Sequence, residues 1–86
     1  MTDYEKAYRD YLVSREVSKN TLDSYEHDVE FYLSFLQENG GLSPEKADET
    51  VVCDYIRHLQ DLGRSPSTIT RNIASVRSFY QYLMQI

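Results

Sequence analysis

Three arginines, Arg64, Arg71 and Arg77, stand in the last 23 residues of the chain, RSPSTITRNIASVRSFYQYLMQI, and no acid stands among them. Short hydroxyls fill the spaces between: Ser67, Thr68, Thr70, Ser75 and Ser78. Guanidinium groups interspersed with hydroxyls suit non-covalent contact with phosphate oxygens and base edges. The segment carries +3, whereas the preceding residues carry −8, for a net charge of −5. Charge segregated in this way within a short chain predicts a surface for an anionic partner.

Covalent chemistry finds no footing. His27 and His58 each stand alone on a predicted helix, and Glu30, three residues after His27, does not complete a metal site. There is no Gly-rich phosphate loop and no Ser–His or Cys–His arrangement. The single Cys53 excludes an intrachain disulfide and a Cys-based metal cluster, and its place near an apolar stripe predicts a small buried thiol. No catalytic residue, metal, cofactor or small-molecule substrate is implied. The residues describe a binding module rather than a complete enzyme.

The elements that must hold the arginines are helices. Eighty-six residues make one domain, and 3 Gly with 2 Pro argue for long elements and few turns. Residues 3–15 put Tyr4, Ala7, Tyr8, Tyr11 and Leu12 on one stripe, with Asp3 as a cap and the tyrosines packing with wet hydroxyls. After the polar break at residues 16–20, a second helix runs from about Asn20 to Glu38, capped by Ser18 or Asn20. Its stripe is Leu22, Tyr25, Val29, Tyr32, Leu33 and Leu36, broadened by Phe31 and Phe35, and Asn39-Gly40-Gly41 stops it. Its interior is acidic (Asp23, Glu26, Asp28, Glu30), so only its first turn could meet an anion. Residues 42–47 form a loop around Pro44. A third helix runs from Asp48 or Glu49 to about Leu62, with Val52, Tyr55, Ile56, Leu59 and Leu62 buried and Gly63 closing it. The fourth helix holds the arginines. Ser65 or Ser67 caps it, Pro66 fits its first turn, and Ile69, Ile73, Val76, Tyr80 and Leu83 form its core face. The free N–H groups of its first turn would themselves attract a phosphate. The fold class is all-α, four helices with short connections. With no apolar run long enough for a membrane span and no signal-peptide start, a soluble, cytoplasmic protein is expected.

The run Ser18-Lys19-Asn20-Thr21-Leu22, then Tyr25, Asp28-Val29, Tyr32 and Phe35-Leu36, resembles the first half of the core-binding domain of tyrosine recombinases, the phage integrases and Xer-type enzymes. Ser67-x-x-Thr70-Arg71, Ile73-Ala74-Ser75-Val76-Arg77 and Phe79-Tyr80-x-Tyr82-Leu83 are similar to the family's final helix. The resemblance runs from about Tyr4 to Leu83. It implies a four-helix orthogonal SAM-like bundle over residues 1–86, forming one half of a clamp on double-stranded DNA. Cleavage and rejoining would belong to a separate C-terminal catalytic domain absent from this chain, and other recombinase protomers would be partners on DNA. Carried over by position, the DNA-facing residues are Ser18, Lys19, Asn20 and Thr21 at the start of the second helix, then Ser67, Thr68, Thr70, Arg71 and Arg77. Tyr25 lies on the apolar stripe and is read as core. Arg71 and Arg77 lie about 120° apart on a helical wheel, so they do not enter one groove together.

This chain is more acidic than such domains usually are, and Asp23 and Glu26 lie near the implied contact end. A second reading has a different partner: a stand-alone helical protein-interaction module using exposed aromatics, Phe31, Phe35, Phe79 and Tyr82, without DNA binding.

Overall fold

The computed structural model describes residues 3–84. Four α-helices follow one another: α1 (Asp3–Ser14), α2 (Lys19–Glu38), α3 (Glu49–Asp61) and α4 (Pro66–Met84). A single 3-10 turn, Pro44–Lys46, interrupts the loop expected between α2 and α3. No strand occurs among the described residues. This is the all-α bundle that the sequence implies.

Local chemistry sets the helix ends. The Ser18 hydroxyl accepts the Thr21 N–H at 3.2 Å and the Asp48 carboxylate accepts that of Val51 at 3.1 Å, each satisfying a donor that has no partner inside its helix. Ser65 does the same for α4, accepting the Thr68 N–H at 3.2 Å ahead of Pro66. At the end of α2, Gly40 and Gly41 take φ of 99° and 65°. Their reversal lets the Gly41 and Leu42 N–H groups return to the Gln37 and Leu36 carbonyls. Asp3 is the first helical residue of α1, and its side chain lies outside the described residues.

The core gathers on α2 and α4. Tyr8 and Leu12 of α1, Val29, Tyr32 and Leu36 of α2, Tyr55 and Leu59 of α3, and Val76 and Phe79 of α4 are all buried. Tyr8 meets Phe79 edge to face at 5.4 Å and Tyr32 meets Tyr55 likewise at 4.9 Å, the geometry that aligns a ring edge with a π face.

Three expectations change. First, α4 turns a different face inward: its buried residues are Asn72, Ser75, Val76 and Phe79, while Ile69, Tyr80 and Leu83 are only partly buried. The reason is polar: Asn72 and Ser75 have buried partners on other helices, described below. Second, the tyrosine hydroxyls are not all wet. Tyr8 of α1 bonds Ser78 at 2.9 Å, Tyr32 of α2 bonds Tyr80 at 2.7 Å, and Tyr55 of α3 donates to Asn72 at 3.0 Å. Tyr80 in turn donates to the Pro44 carbonyl at 2.9 Å, and Tyr4 reaches Glu45 at 2.6 Å, so the 3-10 turn is tied from two sides. Third, Cys53 is exposed rather than buried and Leu62 is 50% exposed, because α3 buries a narrow stripe centred on Tyr55 and Leu59.

These hydroxyls make stability depend on alkaline pH. Burial pushes Tyr8 up to about 12 from 10.0, and burial likewise raises Tyr32, Tyr55 and Tyr80. In the unfolded chain they ionise near 10.0; in the fold they keep their protons. Their contribution is therefore complete below pH 10, and that of Tyr8 is lost as pH rises towards about 12. Tyr8 alone removes up to about 1.4 kcal/mol per pH unit across that window. Urea denaturation at stepped pH should show a fall that begins near pH 10.0; a flat profile through the window would contradict the burial of these hydroxyls.

Candidate nucleic-acid interface

The outer face of α4 is built by elimination. Once Asn72, Ser75, Val76 and Phe79 point inward, Ser67, Thr70, Arg71, Ala74, Arg77 and Gln81 are left exposed along the opposite side. The stripe holds two arginines and no acid along the helix. Thr68 lies at its edge, half-buried, with its N–H and hydroxyl oxygen engaged by Ser65.

The start of α2 lies beside that stripe. Val17 and Tyr25 share a cleft with Ala74 and Arg77, which joins the first turns of α2 to the middle of α4. Ser18, Lys19 and Asn20 are exposed there and Thr21 is half-buried, its hydroxyl accepting from Ser18 at 2.9 Å. Tyr25 is half-buried and packs against the core. The nine predicted contact residues thus fall into two groups, one at the start of α2 and one along α4, and Thr21 and Thr68 are the least open of them.

Arg71 is fixed by a residue whose role the sequence did not disclose. Asp28, on α2, is 2% exposed. Arg71 donates from Nε to Oδ2 at 3.0 Å and from Nη2 to Oδ1 at 2.9 Å, the two-pronged arrangement that suits a guanidinium to a carboxylate. Ser75 adds a hydrogen bond to Oδ2 at 2.7 Å. These bonds, and then the nearby negative charge, raise the Arg71 pKa and hold the side chain charged. The Arg71 side chain is still 46% exposed, so it bridges the interior and the surface. Its Nη1 hydrogens take no part in the pair. Arg77 takes part in neither of the two ion pairs found among the described residues.

The acids flanking this surface are partly silenced. Glu26 is paired with Arg9 of α1. Asp28, counted from the sequence among the acids along α2, is an internal partner. A signal for it existed: Asp28 lies three residues after Tyr25 and four before Tyr32, on the apolar stripe where an acid is out of place.

Elsewhere the chemistry is sparse. A cavity of about 420 Å³ between α3 and α4 is walled by Val52, Ile56, Ile73 and Tyr80, with no acid, base and nucleophile converging on it. Among the described residues no cluster of His, Cys, Asp and Glu could hold a metal, and no helix is long and apolar enough to cross a membrane. The aromatic docking surface of the second reading is not assembled either. Phe79 is fully buried, Phe35 nearly so, and Phe31 and Tyr82 pack against the core.

Residues 6–85 match the family described as phage integrase, N-terminal SAM-like domain. Among curated proteins the chain is similar to the tyrosine recombinase XerD of Oceanobacillus iheyensis, with 35% identity over 85% of this chain and 25% of that protein. It is 38% identical to the tyrosine recombinase XerC of Chlorobaculum parvum over 84% of this chain and 23% of that protein. It is 39% identical to XerC of Lacticaseibacillus casei over 93% of this chain and 28% of that protein. The chain thus spans about a quarter of the length of the curated relatives it matches. No solved structure matches at comparable significance.

The two arginines of the stripe should separate in a stability measurement. Arg71→Ala leaves the buried Asp28 carboxylate with Ser75 alone, a loss of about 3 kcal/mol, at the low end for a broken buried pair because water can reach the vacated side. Arg77→Ala, on the exposed face, should change stability by no more than about 0.5 kcal/mol. Urea denaturation of both variants checks this, and equal losses would contradict it.

Proposed function

The chain belongs to the phage integrase N-terminal SAM-like domain family, and on that premise we propose that it is the DNA-gripping, non-catalytic domain of a site-specific tyrosine recombinase. Its partner is double-stranded DNA. Residues 1–86 form one such domain, and strand cleavage and rejoining fall to a separate catalytic domain. Other recombinase protomers are its neighbours once assembled on DNA, and the cytoplasm is where it meets them.

The observation that carries this reading is the acid-free exposed stripe of α4, Ser67, Thr70, Arg71, Ala74, Arg77 and Gln81, whose Ala74 and Arg77 share a cleft with Val17 and Tyr25 on either side of the first turn of α2. Side chains of this kind meet the sugar–phosphate backbone through their charges and hydroxyls, and base edges through what remains. Ser18, Lys19, Asn20 and Thr21 contribute from α2; Thr68 contributes from the edge of the stripe. The small Ala74 between the arginines lets a strand approach the helix axis closely. Arg71 and Arg77 point to different sides of the stripe, so each is assigned a different phosphate.

Affinity of the domain alone is modest. Its net charge is −5, and only a few cations face the duplex. Each phosphate neutralised contributes about −0.9 to the slope of log affinity against log salt, and three contacts give a slope of about −3. Fluorescence anisotropy with a labelled random-sequence duplex, titrated across a salt series, measures both quantities. Binding at low salt that weakens with that slope is expected, with Lys19→Ala and Arg77→Ala each flattening it by about 0.9. Absence of binding at the lowest salt, or a slope near zero, would sink the reading.

A further inference from the structure

Between α2, α4 and the link that joins α3 to α4 lies a small cleft of about 90 Å³. His27 and Asp28 line it from α2, Arg64 from the link, and Thr68, Arg71 and Asn72 from α4. What distinguishes it is the balance of its hydrogen-bonding groups. The acceptors are engaged. Both oxygens of Asp28 receive Arg71, and Oδ2 receives Ser75 as well. The Asn72 amide oxygen receives Tyr55, and the Asn72 nitrogen donates to the Thr68 carbonyl. The Thr68 hydroxyl oxygen receives Ser65.

The donors are not engaged in the same way. The Nη1 hydrogens of Arg71 lie outside its pair with Asp28. Arg64 takes part in neither ion pair of the described residues, and its guanidinium lies over the Phe31 ring, 5.7 Å from the centroid. That contact steadies the group by attraction to the π face without occupying its N–H edge. Arg64 and Arg71 against Asp28 leave the cleft one positive charge in excess. A recess with spare donors, filled acceptors and a positive balance suits an oxyanion. Its size admits a phosphate group and not a base.

We infer that this cleft seats one backbone phosphate of the duplex, gripped between Arg64 and Arg71 and flanked by His27 and Thr68. The inference rests on the DNA-binding reading and extends it: Arg64, one of the three arginines of the basic segment, becomes a contact, although the resemblance had not selected it. It also gives Asp28 a positioning role, since the carboxylate that takes the Nε side of Arg71 leaves Nη1 for the phosphate.

Two measurements test it. In the first, wild-type protein and Arg64→Ala receive inorganic phosphate at constant ionic strength, with chloride as the control, and amide and arginine side-chain NMR shifts are followed. Phosphate-specific shifts gathered at residues 27, 64, 68 and 71 in the wild type, and lost in Arg64→Ala, are expected. In the second, the random-sequence duplex is titrated across the salt series with wild type, Arg64→Ala and a distant control, Lys46→Ala. Arg64→Ala should bind roughly 5- to 10-fold more weakly at low salt and flatten the slope by about 0.9, while Lys46→Ala does neither. Arg64 is exposed, so Arg64→Ala should fold, and circular dichroism of the variant checks this. Wild-type duplex binding that Arg64→Ala leaves unchanged, in affinity and slope, overturns the seat while the DNA reading stands. A cleft that answers inorganic phosphate in a protein that does not bind the duplex overturns a backbone phosphate as its occupant, and the DNA reading falls with it.

Discussion

Polar groups buried on α4 must find partners or lose several kcal/mol each to desolvation, and that requirement fixes how the bundle closes. Asn72 and Ser75 lie in the core and Ser78 lies at its margin. Each surrounding helix supplies one answer. Tyr8 of α1 takes Ser78, Asp28 of α2 takes Ser75, and Tyr55 of α3 takes Asn72. Apolar packing alone would tolerate some rotation of α4 about its axis, because neighbouring hydrophobic side chains are nearly interchangeable. Hydrogen bonds to three different helices do not tolerate it. The azimuth of α4 is thereby set, and with it which residues remain outside.

That constraint connects packing to the surface. The arginine stripe is whatever the inward polar face leaves exposed, so its composition follows from core chemistry as much as from the arginines themselves. The same logic explains how an acidic chain presents a basic surface. One acid near the face is held by Arg9 and another is drawn inside by Arg71, which removes two negative charges from the approach without removing them from the sequence. Tyrosine is well suited to this construction. A ring supplies apolar area to the core and its hydroxyl reaches across to a partner that an aliphatic side chain could not satisfy.

Local signals in the sequence were easy to read, and long-range ones were not. Ser18, Asp48 and Ser65 marked helix starts to within a residue, and Asn39-Gly40-Gly41 and Gly63 marked ends, because capping involves neighbours only a few positions away. The four helices followed from those marks and from the apolar periodicity, and the family from the resemblance of residue runs in both halves of the chain. The inward face of α4 did not follow. Ser75 reads as a surface residue until its partner, 47 positions earlier, is known, and Tyr8 meets its own partner 70 positions later. Phe79 was misplaced for the same reason, since assigning the stripe by apolar residues alone rotated the helix. On α3 the periodicity overstated burial, because a short helix packed on one side needs only Tyr55 and Leu59 at its centre. Arg64 carried no periodic signal, standing in a link whose geometry the sequence leaves open.

The Asp28–Arg71 pair also bears on how such a domain can change over generations. One partner is a buried acid; the other is a surface base. Replacing the base alone strands a charge in the interior, and replacing the acid alone frees the guanidinium from its fixed orientation. Drift at either position is therefore barred unless both move together, and a two-step exchange must pass through a less stable intermediate. On the proposed DNA-binding reading, recognition and folding share one pair of codons here. New binding preferences are more accessible through Ser67, Thr70 and Arg77, which are exposed and hold no buried charge in place.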